Sequence, residues 1–148
     1  MRQSNPSLLA FALFFLPMGC AGPTSASGEG LSASVNSYHQ SLRWKRLDTA
    51  AQYRLAEERA DFLARYLAVE DDLNIDTMEV RGVHFIPDSD PLAADVVLTA
   101  EAVLLPSNVL EKHVITERWE LRGDTWRLIE TSMELAPEVR KPTSLSAR

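Results

Sequence analysis

Between Lys112 and Leu135 apolar and polar positions alternate on either side of a tight turn, the pattern of a half-buried antiparallel hairpin. Ile115, Glu117, Trp119 and Leu121 fall on one face of the first strand, and Val114, Thr116, Arg118 and Glu120 on the other. Gly123, within Arg122-Gly123-Asp124-Thr125, supplies the positive φ that such a turn needs. In the second strand Trp126, Leu128 and Glu130 share a face opposite Arg127, Ile129 and Thr131, and the two tryptophans are expected to pack side by side. Upstream, Ala94 to Leu105 sets Val96, Leu98, Ala100, Ala102 and Leu104 against Asp95, Val97, Thr99, Glu101 and Val103, and the first set reads as core. Leu73 to Ile86 is a looser strand in which Gly82 marks a bulge. Pro87 to Pro91 and Pro106 to Asn108 are turns.

Before Leu73 the period changes. Val35, Tyr38, Leu42 and Lys45 recur at helical spacing, predicting a first helix from Ala33 to about Arg46 with Trp44 packed between helices. Asp48 or Thr49 is the expected N-cap of a short helix through Tyr53. Ala56 to Ala68 forms a third, with Phe62, Leu63, Tyr66 and Leu67 opposite Glu57, Glu58, Asp61 and Arg65; whether it continues the second is left open. Helices followed by about four strands joined by short turns define an α+β domain, residues 33–135, with the helices packed on one face of a curved antiparallel sheet. Residues 136–148, charged and proline-containing, read as a frayed tail.

The first nineteen residues stand apart. Arg2 is followed by the apolar run Leu8 to Leu16, which has the length of a secretory leader and is too short for a membrane-spanning helix. Pro17-Met18-Gly19-Cys20 follows, and Cys20 is the only cysteine in the chain. The segment resembles a bacterial lipobox, with Gly19 as the small residue before the cysteine and Leu16 one step beyond the usual leucine position. The resemblance implies cleavage before Cys20, lipidation of Cys20 and, with Ala21 rather than aspartate next, an outer-membrane address facing the periplasm. Two or three acyl chains hold a protein to a membrane where one does not. Residues 20–32, small, polar and glycine-rich, are expected to form a flexible tether.

Charge narrows the partners. The 148 residues carry 15 basic and 21 acidic side chains; loss of Arg2 with the leader leaves a formal charge of −7. Such a domain is a poor binder of nucleic acid, whose affinity comes from cations replacing phosphate counterions. Anionic headgroups would repel it too, leaving lipidated Cys20 as its contact with the membrane.

The order of elements, with Leu42-Arg43-Trp44-Lys45-Arg46-Leu47-Asp48-Thr49-Ala50-Ala51, Arg118-Trp119-Glu120 and Gly123-Asp124-Thr125-Trp126-Arg127-Leu128, resembles the nuclear transport factor 2-like superfamily, the cystatin-like α+β cone, and within it small bacterial lipoproteins. The resemblance implies a pocket between the helices and the concave face of the sheet, where the superfamily's enzymes usually place an acid-base pair. Enzymes, ligand-binding modules and interaction domains share this fold, so it assigns no function by itself.

His84 and Asp95 are the weak acid-base candidates, with Glu101 in the same strand as Asp95 and His39 on the first helix, since a carboxylate buried near a histidine can act as a general base. The alternation of Asp95, Thr99 and Glu101 with an apolar face fits a solvated surface better, so no catalytic residue is assigned. His39, His84 and His113 lie too far apart for metal-ligand spacing, and no cofactor is expected. Arg43, Trp44 and Lys45 form a weak candidate contact surface; the stronger reading packs Trp44 between the helices and has the cations solvate the end of the first helix. The expected function is a non-enzymatic envelope lipoprotein binding a small apolar ligand or a protein partner. The alternative is a pocket enzyme of isomerase, dehydratase or hydrolase type using His84 or Asp95. A third expectation is a homodimer through the exposed sheet face, with Val97, Val103 and Arg118 in the contact.

Overall fold

The computed structural model describes the backbone of residues 23–135 and the side chains of residues 28–134. The leader, Cys20 and the tail from residue 136 onward lie outside them. Four helical segments precede four strands: α1 (Pro23–Arg43), α2 (Leu47–Ala51), a 3-10 turn (Ala56–Glu58) leading into α3 (Arg59–Leu67), then β1 (Leu73–Ile86), β2 (Ala93–Leu104), β3 (Leu110–Arg122) and β4 (Thr125–Leu135). The sheet is antiparallel throughout, in the order β1-β2-β3-β4. This is the expected α+β plan, with α2 and α3 separate.

Helix α1 starts ten residues before the predicted Ala33, so residues 23–32, read from composition as a tether, are helix. Leu31 explains the difference. It stands one turn before Val35, extends the stripe Val35, Tyr38 and Leu42 by the helical period, and is 1% exposed. Pro23 at the first position of a helix costs no backbone bond. Neither Asp48 nor Thr49 caps α2: the helix opens at Leu47, and Arg46 stands at the N-cap without a side-chain bond.

The core lies between the helices and one face of the sheet, here the inner face. Leu31, Val35, Tyr38 and Leu42 of α1, Ala50 and Ala51 of α2 and Phe62 of α3 meet Ala94, Val96 and Leu98 of β2, Trp119 of β3 and Trp126 and Leu128 of β4. Gly123 closes the β3–β4 hairpin at φ +65°. Two register shifts bend β1, one at the expected Gly82. A third, between Arg118 and Trp119, changes the predicted facing of β4: Trp119 stands opposite Leu128 and Leu121 opposite Trp126, while Glu130 returns to the outer face beside Arg118. The tryptophans are therefore not direct cross-strand partners; Trp119 packs edge-on against Tyr38 and Tyr53, and Trp126 against Phe85 of the far strand β1. Contact between the first and last strands at this end shows how tightly the sheet curls.

The free edge of β4 is taken up by the segment after α2. Leu128 N–H donates to Tyr53 O at 2.8 Å, the Arg127 guanidinium donates to Gln52 O, and Arg54 bridges Leu128. This pairing fixes Arg54 at the rim of the inner face, where its side chain enters the site described next.

A buried carboxylate and a two-part cavity

Glu117 continues the inner face of β3 between Ile115 and Trp119 and is only 2% exposed. An ionisable group buried in an apolar layer persists only if its lone pairs are met by donors. Two side chains do this. His39, 5% exposed and carried by α1 beside Tyr38, places Nε2 at 3.0 and 3.1 Å from the two carboxylate oxygens. Trp119 Nε1–H donates to Glu117 Oε2 at 3.0 Å. The result is a helix-to-strand tie, with the Tyr38 ring lying against both His39 and Trp119.

Glu117 also forms part of the wall of a cavity of about 330 Å³, with Tyr38, Arg54, Phe62, Arg65 and Tyr66 around it. Burial pushes the Tyr38 hydroxyl well above its ordinary value of 10.0, helped by the nearby Tyr66 and Glu117; Tyr66 is raised chiefly by burial and then by Glu117. Both therefore face the cavity as neutral phenols. Arg54 and Arg65, which line the same cavity, act on both in the opposite sense. A second space of about 370 Å³ adjoins the first, sharing Leu42, Tyr66, Leu73, Met78 and Ile115, and runs along Ile75, Ala100, Ala102, Leu104 and Met133. Its walls are mostly apolar, with Glu111 and His113 at one side. The combined space is polar at the Arg54 end and apolar along the sheet.

His84 and Asp95 stand opposite each other in the β1–β2 register. Neither is among the residues that line the two-part cavity. His84 is exposed, and Asp95 on the outer face accepts from Arg118 Nε and Nη2 at 2.9 and 3.1 Å. Val97 and Val103 share that outer face half-buried, and Arg118 is engaged by Asp95. Arg43, Trp44 and Lys45 are all exposed at the end of α1, and Trp44, at 69%, does not pack between the helices as expected. Lys45 at φ 53° turns the chain there and donates from Nζ to Glu70 O, which leaves Trp44 outside. Of the histidines considered, the structure buries His39 against Glu117, a carboxylate of the cavity wall not singled out from the sequence, while His113 lines the apolar space. The signal for Glu117 was an acid at an apolar position of a strand. Among the described residues no group of three His, Cys, Asp or Glu side chains could hold a metal.

Fold and site together define an α+β cone of the nuclear transport factor 2-like, cystatin-like type, open at one side of the inner face. Solved structures of this type are similar to the chain over three quarters of its length. A protein with a cystatin-like fold from Caulobacter vibrioides is 11% identical, with a TM-score of 0.56 over 75% of this chain and 90% of its own. A nuclear transport factor 2-like protein from Cytophaga hutchinsonii is 8% identical, with a TM-score of 0.57 over 74% and 98%. One of unknown function from Prochlorococcus is 10% identical, with a TM-score of 0.55 over 75% and 94%. At these identities the likeness is one of fold alone. No family model matches the sequence, and no curated protein sequence matches it.

Proposed function

We propose that the chain is a lipid-anchored binding domain of the bacterial envelope that holds a small, largely apolar molecule between its helices and the inner face of its sheet. The observation that carries this reading is the apolar space of about 370 Å³ along Ile75, Met78, Ala100, Ala102 and Met133. Small-molecule sites are concave and mostly apolar, typically about 300–1,000 Å³, with a few polar groups at fixed places. Native mass spectrometry of the full chain tests it: a species heavier than the chain by the mass of a small organic molecule is the expected result, and a bare chain contradicts it.

The anchor rests on the apolar leader and on Gly19-Cys20. Among the described residues no helix is long and apolar enough to cross a membrane. Cys20→Ala is expected to move the chain from the membrane to the soluble fraction, or to leave it uncleaved. Membrane retention of a cleaved variant would rule the anchor out.

A pocket enzyme is the second reading, favoured by Glu117 reaching the cavity wall with His39 behind it. Binding is preferred because the carboxylate is already met on both oxygens by donors of the protein, and the His39 Nε2 is committed to it. A proton-transfer group needs hydrogen-bond reach to its substrate. The arrangement suits a structural tie that shapes one end of a binding site.

A further inference from the structure

Arg54 is 9% exposed, yet none of its five N–H donors makes a directed hydrogen bond among the described residues. Its Nη2 lies 3.0 Å from Glu58 Oε2, but the contact lacks hydrogen-bond alignment, and both Arg54 Nε and Glu58 Oε2 are buried without a bonded partner. Buried guanidiniums are ordinarily satisfied by several acceptors, so this one has unused capacity where it meets the cavity. Arg65, in the same wall, bonds only the Asp61 backbone oxygen from Nε, and no carboxylate lies within ion-pair distance of it. Glu117 does not answer either cation, because its oxygens are turned to His39 and Trp119.

We propose that the ligand is a small amphipathic carboxylate, its charged group held between Arg54 and Arg65 and its apolar tail laid along Met78, Ala100, Ala102 and Met133. This deepens the binding function proposed above and rests on it. A planar carboxylate offers the fork of acceptors that a guanidinium is shaped to take, and such charge-assisted bonds are roughly twice as strong as neutral ones. A single negative charge fits better than two. Glu58 already lies against Arg54 and Glu117 lines the same cavity, so a dianionic phosphate would meet more repulsion there than a monoanion. The neutral phenols of Tyr38 and Tyr66 add no competing charge at this end.

Calorimetric titration of the full chain with octanoate and, separately, with 1-octanol isolates the charged group. Octanoate is expected to bind about tenfold more tightly or better. Arg54→Met should bring the two affinities together while 1-octanol binding persists. Arg54 is buried and its loss could unfold the chain, so Arg65→Met, at an exposed position, provides the independent arm: a several-fold fall in the preference is expected there. Equal affinities in the unaltered chain, or a preference untouched by Arg65→Met, overturn the carboxylate inference and leave the binding site standing. If neither compound binds, the proposed function falls, and this inference with it.

Discussion

Glu117 shows how one side chain can be out of place in a pattern and still be held in the fold. Its strand neighbours on the inner face are Ile115 and Trp119, and in such surroundings an unpaired carboxylate is strongly disfavoured. His39 and Trp119 supply the donors. Removing one member of a buried pair is worse than removing both, because the survivor is stranded. Glu117→Leu and His39→Leu should each destabilise by about 3–5 kcal/mol. The double variant should cost clearly less than the sum, with a coupling of about 1–3 kcal/mol read from urea midpoints. Strict additivity would mean that the contact is not energetic. The alternation around Glu117 was plain in the sequence, whereas its partner was not, because His39 lies 78 residues away and no local pattern links a helix position to a strand position at that distance. His84 and Asp95 were singled out by residue type, a histidine and a carboxylate on successive strands; they do fall opposite each other across β1 and β2, but on a face that lines neither part of the cavity.

The elements themselves were legible wherever burial imposes a period. β1 runs between the residues expected, Leu73 and Ile86, and bulges at Gly82; β2 begins one residue earlier than expected, and of its expected core set Val96, Leu98 and Ala100 are buried while Ala102 is half-buried and Leu104 is exposed. The start of α1 was hidden by its composition. Ala, Ser and Gly from residue 24 onward resemble a linker, and only Leu31 reports that this stretch is packed. Bulges were visible only where a glycine marked them. The shift at Arg118/Trp119 carries no such residue, so the facing of Glu130 could not be read. Leu31→Ala checks the longer helix: a buried leucine truncated in a core is expected to cost about 2–5 kcal/mol. A residue in a solvated tether would change stability by no more than about 0.5 kcal/mol. A urea midpoint unchanged from the parent would return residues 23–32 to the tether.

For the molecule as a whole, the curl of the sheet matters more than any single residue. One end is closed by Phe85 and Trp126, whose rings lie 6.3 Å apart with α1 passing over them near Gly28 and Gly30. At the other end the inner face continues past the helices, leaving Leu104 and Met133 more than half exposed beside the apolar space. The same strands that build the core thus run on to line a cavity. Periodicity makes the first part readable and leaves the second unseen, because a lining residue and a core residue look alike in sequence. Ala102 is such a position, small and facing the space. Titration of the full chain and of Ala102→Trp with 1-octanol tests the cavity directly, since an indole there occupies the volume the ligand needs. Binding to the unaltered chain, weakened at least about tenfold in the variant at an unchanged melting temperature, is the predicted result. Equal binding by the two chains, or none by the unaltered one, would contradict the account.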